Sequence, residues 1–507
     1  MKYLIGIDVG TSGTKTVLFD IYGKVTASET VEYPLYQPKN GWAEQEPEDW
    51  WNASVEGIKA VIDRSGCDKS EIAGVGLSGQ MHGLVMLDKN GCVLRRSIIW
   101  CDQRTHEECD DIDNIVGRDK VIEITANPPM TGFTASKILW VKKHEPEIYE
   151  KCAHILLPKD YIRFRLTGEY ATEVSDASGM QLMDVAKRQW SREILSLLDI
   201  DISLLAEMYE SPDVTGNVSK SASELTGLPE GIPVAGGAGD NAAAAIGTGI
   251  VRSGSAFNTL GSSAVIYAVT DRLNADKKGR VHGLCASVPG KWTLMSCTQG
   301  AGISLKWFAN NFFLQEKEEA KKRNTSIYNI IDKKASDVPI GSEKLLFLPY
   351  LMGERSPHPD AFCRGVFFGL SAIHNREHLV RAVMEGVAFS QRECMDVFRE
   401  NGAGVDSITL CGGGSRSPVW RQMLADLYSC PVSVLESDEG GALGAALLAG
   451  VGAKIYSSVE EAADSVVKKI PAAEPIAENT ERYEPYYELY KKLYLSLKEN
   501  FVELYDI

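Results

Sequence analysis

The chain opens with a strand pattern that folds back at a glycine-rich turn, and a second unit of the same kind appears halfway along. The first turn is D-V-G-T-S-G-T-K at residues 8–15, and the second is L-G-S-S at residues 260–263. Each lies between two short apolar segments that read as strands. Two such units predict a chain built from two related halves. We place their boundary near residue 250, which gives domains of residues 1–250 and 251–507.

Strand and helix patterns alternate through both halves, which is typical of an α/β protein. In the first half we predict strands at 3–8, 16–19 and 24–30 joined by two hairpins, a helix at 47–64, a strand at 72–77, a mostly helical insertion at 102–204 and a strand at 232–235. In the second half we predict strands at 255–258, 264–268 and 407–411 and helices at 377–400, 418–428 and 440–449. The charged, tyrosine-rich stretch 478–505 predicts a terminal helix exposed to solvent.

The charge balance limits the partners. The 507 residues include 53 Lys and Arg against 69 Asp and Glu, a net charge of −16, which repels the phosphate backbone of nucleic acids. Backbone N–H groups, a helix N-terminus or a metal ion can still bind a small anion. No stretch approaches the roughly 18 uncharged apolar residues of a membrane span, and the 11 cysteines are scattered without a C-x-x-C pair. We therefore expect a cytoplasmic protein with reduced thiols and no nucleic-acid or membrane partner.

Both glycine turns are candidate phosphate sites, because small residues let backbone N–H groups and hydroxyls approach an anion closely. An ordinary hairpin turn is the alternative for each. Asp8 favours the phosphate site, since an acid at the end of a buried strand needs a partner such as a cation. The first turn is not a mononucleotide P-loop, because Thr14 and not Gly precedes Lys15. Two such turns across a cleft would hold one polyphosphate.

Two further glycine elements are candidates for ligand contact. C-G-G-G-S-R-S-P at residues 411–418 ends a predicted strand and opens a helix, so a flat ring or phosphate could lie on bare backbone, although a tight turn needs the same residues. G-A-G-D-N-A at residues 237–242 matches a dinucleotide pattern. That pattern requires an acid about 20 residues further on, and none occurs between Asn241 and Thr270. We therefore predict that Asp240 accepts a proton from a hydroxyl nucleophile, with a helix cap as the alternative.

Together, D-V-G-T-S-G-T-K, L-G-S-S-A and C-G-G-G-S-R-S-P-V-W-R-Q-M-L-A-D, in this order and spacing, resemble the FGGY family of carbohydrate kinases over essentially the whole chain. Residues 131–140 resemble the first signature of that family, and residues 412–426 resemble the second. S-G-Q-M-H-G at residues 78–83, with residues 44–51 and 157–161, is similar to the members that act on D-xylulose.

The resemblance implies two actin-like, ribonuclease-H-like α/β domains with ATP and sugar in a central cleft. It also implies ATP-dependent phosphorylation of D-xylulose at the 5-hydroxyl group, with ATP and Mg²⁺ as the cofactors. The partners would then be a small-molecule sugar and ATP, and a homodimer is one alternative for the oligomeric state.

The resemblance also implies roles for individual residues. Asp240 matches the proton acceptor, and Asp8 matches a carboxylate near the metal and the phosphates. The residues that match sugar contacts are Met81, His82, Asp240 and Asn241. The residues that match nucleotide contacts are Thr11, Ser12, Gly261 and Ser262 at the phosphates and Gly413, Gly414 and Ser417 at the adenosine.

Two positions depart from the family pattern. The second phosphate turn usually reads L-G-T-S-G, whereas here Ser262 keeps the hydroxyl and Ala264 adds a methyl group beside the backbone. Ser417 stands where the family often carries Asn, so a bidentate amide contact becomes a single hydroxyl contact. We expect both changes to affect nucleotide affinity.

Other functions stay open at this point. An NAD-dependent oxidoreductase would use residues 237–242, although the ribose acid is missing. A non-enzymatic actin-like ATP-binding or scaffold protein would keep the glycine elements without needing Asp240 or His82. Kinases for ribulose, another pentulose, a polyol such as xylitol, or gluconate would differ only in the sugar pocket.

Overall fold

The computed structural model describes residues 2–437 and 439–507. The first half of the chain forms a seven-stranded sheet. Its strands are β1 (Tyr3–Val9), β2 (Gly13–Asp20), β3 (Val25–Glu32), β4 (Ile72–Gly79), β5 (Val214–Asn217), β6 (Pro233–Ala235) and β7 (Ala238–Gly239). They lie in the order β5-β6-β4-β1-β2-β3, and β7 also pairs with β4. The antiparallel hairpins β1-β2 and β2-β3 are as predicted, and β4 runs parallel to β1 and β6.

The second half forms a sheet with the same core arrangement. Its strands are β8 (Gly254–Leu260), β9 (Ala264–Thr270), β10 (His282–Cys285), β11 (Trp292–Thr298), β12 (Val405–Cys411), β13 (Val432–Leu435) and β14 (Lys469–Ala473). They lie in the order β10-β11-β9-β8-β12-β13-β14. As in the first sheet, a central strand, β8, has an antiparallel hairpin on one side and parallel strands on the other. The two halves predicted from the two turns are therefore confirmed as two ribonuclease-H-like sheets.

Helices cover and connect the sheets. The labelled helices are α1 (Pro47–Ser65), α2 (Asp240–Gly247), α3 (Gly302–Phe312), α4 (Ile327–Ser336), α5 (Arg376–Glu400), α6 (Pro418–Tyr428), α7 (Gly440–Gly452) and α8 (Ala477–Asp506). Helices His106–Val116, Arg118–Thr125, Thr134–His144, Pro158–Thr167 and Arg192–Leu197 confirm the mostly helical insertion in the first half. No helix within the described residues has the length and apolar character needed to cross a membrane.

Short strand pairs complete the description of the chain. They join Glu44–Gln45 to Ser97–Ile98, Val85–Leu87 to His154–Leu156, Ala171–Glu173 to Glu207–Tyr209, Met183–Asp184 to Gln189–Trp190 and Leu346–Leu348 to Val366–Phe368. The pair that contains Glu44–Gln45 matters for function, because it brings Gln45 under the first glycine turn.

Helix α1 shows how local sequence sets an element. Pro47 at its first position needs no N–H partner, and Glu48 and Asp49 complement the positive end of the helix. Gly66 ends the helix in the left-handed conformation, with a φ of 63°. Trp50 is fully buried and anchors the helix on the first sheet.

Helices α2 and α7 pack tightly between the two sheets, although they are far apart in sequence. A Cβ atom on Gly444 of α7 would lie 1.9 Å from the carbonyl oxygen of Ala243 in α2, and one on Gly6 of β1 would lie 1.9 Å from that of Ala442. Backbones can approach this closely only at glycine. The same hydrophobic cluster includes Phe257 of the second sheet, so α2 and α7 form the joint of the molecule.

The prediction of a solvent-exposed C-terminal helix is wrong. Tyr483, Tyr487, Tyr490 and Tyr494 of α8 are all buried against the second half of the chain. Each tyrosine hydroxyl has a polar partner there: for example, the hydroxyl of Tyr487 donates to Asp396 at 2.7 Å. Tyrosine can be buried in this way because its ring is apolar and its hydroxyl needs only one hydrogen bond. The charged residues between the tyrosines concealed an apolar stripe.

Candidate active site

Asp8 lies at the end of β1, next to the joint between the two sheets. It faces Ser78 of β4, whose hydroxyl donates to Asp8 Oδ1 at 2.8 Å. A Cβ atom on Gly441, in the first turn of α7, would lie 3.0 Å from Asp8 Oδ2. Burial raises the pKa of Asp8, and the Ser78 hydrogen bond and the charge of Lys15 only partly offset this rise. The position would therefore be stabilised by a bound cation, as the sequence predicted.

Two glutamines hold the first glycine turn in place, and both lie in segments that carry the family resemblance, which gave them no role. Gln45 Nε2 donates to the Thr11 carbonyl oxygen at 2.7 Å, and Gln80 Nε2 donates to Gln45 Oε1 at 2.7 Å. The indole of Trp100 donates to Thr11 Oγ1 at 2.9 Å. Ser12 at the tip of the turn is exposed. Gln45, Gln80 and Trp100 therefore fix the turn on one side, and Ser12 on its other side is accessible to a ligand.

His82 occupies a pocket between β4 and the helical insertion. Its Nδ1 lies 2.9 Å from the Gly179 carbonyl oxygen, and because a carbonyl only accepts, Nδ1 carries the proton and Nε2 carries a lone pair. The ring stacks on Phe133 with centroids 4.3 Å apart. Burial, followed by the charge of Lys137, lowers the pKa of His82 well below its usual value. His82 is therefore a neutral imidazole that can accept a hydrogen bond through Nε2.

Two glycines let Met81 and His82 approach other segments closely: Gly239, next to Asp240, contacts Met81, and Gly179 of the helical insertion contacts His82. A Cβ atom on Gly239 would lie 2.8 Å from Met81 Cγ, and one on Gly179 would lie 2.4 Å from the His82 ring. Larger residues at either position would displace these side chains. Met81, in the loop after β4, therefore lies against the residue that precedes Asp240 and Asn241, and the adjacent His82 lies against the insertion.

Asp240 is the first residue of α2 and is half-buried. Its Oδ1 accepts hydrogen bonds from the backbone N–H of Asn241 at 2.7 Å and from Asn241 Nδ2 at 2.9 Å. Desolvation, followed by the negative charge of Asp8, raises the pKa of Asp240 to about 7. A carboxylate with a pKa near neutrality can accept and release a proton under ordinary conditions. The N-cap position belongs to Gly239, but Asp240 Oδ1 accepts from a backbone N–H in the first turn of α2, and within the described residues Oδ2 has no hydrogen-bond partner.

The second glycine turn adjoins the triple-glycine turn. The backbone N–H groups of Gly302 and Ile303, at the start of α3, donate to the carbonyl oxygens of Gly261 and Ser262 at 2.9 and 3.0 Å. A Cβ atom on Gly414 would lie 2.6 Å from Leu260 Cβ, whereas one on Gly413 would meet nothing within 4 Å. Gly261, Ser262, Gly413 and Gly414 therefore share one surface, with open space above Gly413.

Ser417 has a different local role from the one that its position suggests. Its hydroxyl donates to Asp332 Oδ1 of α4 at 2.5 Å and accepts from the N–H of Trp420 at 3.1 Å, so it caps α6. Burial raises the pKa of Asp332. The predicted contact between Ser417 and adenosine stays a prediction, and Asp332 becomes a second polar group at this edge. No signal in the sequence singled out Asp332.

Lys137 supports the sugar pocket from inside the protein. Its ammonium group is fully buried and donates to the carbonyl oxygens of His82 at 2.8 Å and Gly132 at 2.7 Å. Burial lowers the pKa of Lys137 to about 7. Both Lys137 and Phe133 lie in the segment that resembles the first family signature, so this segment holds the His82 loop. The resemblance included the segment but gave these two residues no role.

The comparisons with known proteins agree with this arrangement. The profile of the FGGY family of carbohydrate kinases, N-terminal domain, matches residues 3–247, and that of the C-terminal domain matches residues 256–453. The xylulose kinase of Bacillus subtilis (strain 168) is 40% identical over 469 residues, which are 92% of this chain and 92% of that protein.

Solved structures give the same result. The xylulose kinase from Rhodospirillum rubrum has a TM-score of 0.91 at 30% identity and covers 99% of this chain and 100% of its own. A gluconate kinase from Lactobacillus acidophilus also has a TM-score of 0.91, at 27% identity, over 99% of each chain. These similarities confirm the predicted two-domain fold with its actin-like topology. The two family profiles together match most of the sequence, and the chain therefore belongs to the FGGY family of carbohydrate kinases.

Proposed function

We propose that the protein is a xylulose kinase, which transfers the γ-phosphoryl group of ATP to the 5-hydroxyl group of D-xylulose. The observation that carries this proposal is that Met81 lies against the segment of Asp240, a carboxyl group with a pKa of about 7, and is followed by a neutral His82. The similarity to a protein named xylulose kinase, at 40% identity over 92% of the chain, supports D-xylulose as the sugar.

The reaction is a phosphoryl transfer with one proton to remove. The sugar hydroxyl oxygen bonds to the γ-phosphorus while the bond from that phosphorus to the β,γ-bridging oxygen breaks, and the electron pair of that bond leaves with ADP. The hydroxyl proton passes to Asp240. Because Asn241 occupies Oδ1, the other carboxylate oxygen, Oδ2, is the proton acceptor. The reaction therefore needs Asp240 in its ionised form.

Sugar recognition rests on groups that hydrogen-bond particular hydroxyls. Nε2 of the neutral His82 accepts from one hydroxyl, and Asn241 provides a further contact. A site of this kind rejects a sugar that leaves its buried polar groups unpaired. Met81 supplies an apolar wall, which contributes less to the choice between epimers.

Nucleotide binding divides between the two halves. Thr11 and Ser12 from the first turn hold the phosphates together with Gly261 and Ser262 from the second, through backbone N–H groups and hydroxyls. Gly413 and Gly414 give the adenosine a flat backbone surface, which the open space above Gly413 supports. Ser417 and Asp332 form the polar edge of this surface.

The family implies a nucleoside triphosphate substrate and a divalent metal ion, and we propose ATP and Mg²⁺. Asp8 fits the metal, because it is a half-buried carboxylate whose Oδ2 is not used by Ser78. Mg²⁺ needs only one or two carboxylates, since it keeps several waters and binds substrate phosphates. When bound, the ion would neutralise charge on the phosphates.

The remaining expectations stay predictions. A domain boundary near residue 250 is supported by the family matches, which end at residue 247 and resume at residue 256. Cytoplasmic location and a homodimer are expectations from the sequence and the resemblance.

Coupled measurement of ADP release tests the proposal. Wild-type protein is assayed with ATP and Mg²⁺ against D-xylulose, D-ribulose, xylitol and gluconate. We expect the highest kcat/KM with D-xylulose. A higher value with another sugar would keep the kinase and exclude the xylulose assignment, whereas no sugar-dependent ADP release would favour the non-enzymatic alternative.

A further inference from the structure

The residues on both sides of Arg355 are fastened to the end of β11. The Glu354 carboxylate accepts hydrogen bonds from the N–H groups of Gln299 at 2.6 Å and Arg355 at 2.7 Å. Ser356 exchanges two hydrogen bonds with Cys297, at 3.1 Å through its N–H and at 3.2 Å through its hydroxyl. The backbone of Arg355 is therefore held rigidly, although the residue lies in a loop.

This position borders the second phosphate turn. The last residue of β11, Thr298, pairs with Ala264, which directly follows that turn. Three residues along from Gln299, the N–H of Gly302 donates to the Gly261 carbonyl oxygen at 2.9 Å. The hydrogen-bonded segment that fixes Arg355 is therefore continuous with the one that shapes the turn.

The guanidinium group of Arg355 has no protein partner. Within the described part of the chain it makes no hydrogen bond, ion pair or aromatic contact, and the residue is only half-exposed. Three other cations near the site are engaged: Lys15 pairs with Glu439 at 2.5 Å, Lys137 bonds to two carbonyl oxygens, and Lys159 pairs with Asp160 at 2.7 Å. A half-buried guanidinium with five free donors is suited to an anionic ligand.

The charge of Arg355 acts on the sugar side of the site. It contributes to the lowered pKa of His82 and His282. It also opposes the effect of Asp240 on the Cys297 thiol, whose pKa is raised chiefly by burial. The charge of the guanidinium group therefore acts both on the sugar residue His82 and on Cys297, which also responds to the charge of Asp240.

We propose that Arg355 binds the γ-phosphoryl group of ATP and stabilises its charge during transfer to the sugar. The proposal rests on the proposed kinase function, and it is carried by an unpartnered guanidinium whose backbone is held beside the second phosphate turn and whose charge acts on the sugar residue His82. The planar group can donate two parallel hydrogen bonds to two phosphoryl oxygens. A donor in this position acts mainly on the transition state, where the transferred group lies between ADP and the sugar oxygen.

Nucleotide affinity without sugar gives the first test. We compare Arg355→Gln with Arg364→Gln, a control in the same loop whose guanidinium donates only to the carbonyl oxygens of Ala361 and Cys363. Because ADP lacks the γ-phosphoryl group, Arg355→Gln should weaken ATP binding about tenfold and leave ADP binding unchanged, the effect of one lost charge-assisted contact. The control should change neither affinity.

Turnover gives the second test. Arg355→Gln should lower kcat with D-xylulose by about 100-fold to 1,000-fold, the usual effect of removing one fixed donor to a transition state. Arg355→Lys keeps the charge without the planar fork, so it should recover part of kcat and part of the ATP preference. If the Gln variant does not fold, judged by its thermal denaturation, the Lys variant is tested by the same ratio of ATP to ADP affinity.

Three results would overturn the proposal. The first is that Arg355→Gln weakens ATP binding and ADP binding equally. The second is that the variant changes only the KM of D-xylulose, which would assign Arg355 to the sugar. The third is that it changes only inhibition by the sugar phosphate product, which would assign Arg355 to the product phosphate. If the wild-type protein releases no ADP in a sugar-dependent manner, the kinase function fails. The comparison of ATP with ADP binding still decides the role of Arg355 in that case.

Discussion

His82 and Asp240 come from different elements, and burial acts on them in opposite directions. Desolvation disfavours the charged form of any group, so it removes the proton from the imidazole and retains the proton on the carboxyl group. The result is an uncharged hydrogen-bond acceptor at His82 and a base with a pKa of about 7 at Asp240. In the proposed reaction, the first group binds a neutral hydroxyl and the second deprotonates one.

Replacing Asp240 by Asn tests the base. The amide keeps the shape of the side chain and can still accept from the Asn241 N–H, but it cannot take a proton. We expect turnover to fall by about 100-fold to 10,000-fold, with little change in D-xylulose affinity measured by calorimetry. Turnover within a few-fold of wild type would remove Asp240 as the proton acceptor.

The pH dependence of kcat/KM gives an independent test of the same group. Asp240 must be ionised to act as a base, so activity should be low when the pH is below its pKa and should rise as the pH increases through about 7. The negative charge of Asp8 contributes to this value. A kcat/KM profile for D-xylulose that is flat from about pH 5.5 to about pH 8 would exclude a carboxyl with this pKa.

His82 tests the choice of sugar. His82→Ala removes the Nε2 acceptor, so kcat/KM for D-xylulose should fall. The loss of transition-state stabilisation calculated from the ratio of kcat/KM values should be about 1 to 3 kcal/mol, the penalty for an unmade buried hydrogen bond. The preference for D-xylulose over D-ribulose, which differ at the third carbon, should narrow. His82→Gln, which offers an amide oxygen, should recover part of both. Full epimer discrimination in the Ala variant would place sugar selection elsewhere.

At the residue scale, sequence patterns indicated the candidate reacting groups but not the residues around them. The G-x-G-x-x-A check set aside a dinucleotide site and left the proton acceptor and the helix cap as alternatives for Asp240, and the family string supplied Met81 and His82. The contacts of Phe133 and Gly179 with His82 could not be predicted from the sequence. Both residues belong to the helical insertion, and no repeating pattern in the sequence indicates how that insertion packs against the loop after β4. Asp332 contacts Ser417 across 85 residues, and nothing local marks it.

At the scale of elements, small residues explain how α2 and α7 meet. The sequence predicted a helix at 440–449 with many Gly and Ala residues, but its partner was not evident. In the structure, glycines of α7, β1 and β4 let backbones touch: a Cβ atom on Gly76 would lie 1.8 Å from the Ala445 carbonyl oxygen. Because α2 begins with Asp240, this contact also positions the proton acceptor.

Gly444→Ala tests this contact. The new Cβ atom would lie 1.9 Å from the Ala243 carbonyl oxygen, so α2 and α7 must separate, at about 1 to 3 kcal/mol for overpacking. Alanine would otherwise favour a helix by about 1 kcal/mol. We expect a lower thermal denaturation midpoint and reduced kcat. The matched control is Gly440→Ala, whose Cβ atom would have no neighbour closer than 3.7 Å. Equal stability of the two variants would contradict the packing argument.

The C-terminal helix α8 shows the limit of predicting burial from the pattern of apolar and charged residues alone. Its length and spacing were predicted correctly, but its charged residues led to the prediction that the whole helix is exposed to solvent. The buried partners of its hydroxyls, such as Tyr350 for Tyr490 at 2.8 Å, lie in segments far away in sequence. A scale that treats tyrosine rings as apolar would have indicated the buried face.

At the scale of the whole molecule, each half supplies one phosphate turn, and the polypeptide crosses between the halves at the joint. Helix α7 belongs to the second half by sequence but lies against β1 and β4 of the first. Lys15 of the first hairpin pairs with Glu439, immediately before α7. The repeated glycine turns predicted two halves. They could not predict that α7 packs on the sheet of the other half, because a repeat does not specify which sheet a helix covers.

The last prediction concerns closure of the two halves. The sugar residues Met81 and His82 lie on the first half, and the adenosine surface at Gly413 and Gly414 lies on the second, so transfer requires both halves to close on one phosphoryl group. Asp240→Asn allows this to be measured with the true substrates, since it should bind ATP and D-xylulose without turning them over. By small-angle X-ray scattering, the decrease in radius of gyration with both ligands should exceed the sum of the decreases with ATP alone and with D-xylulose alone. Protection of the backbone N–H groups of residues 10–13 and 261–263 from hydrogen exchange should likewise increase more with both ligands than the sum of the two separate increases.

If the effects of the two ligands on both measurements are simply additive, the halves bind their ligands independently. The proposed coupling between sugar binding and closure of the two halves on the phosphates would then be wrong.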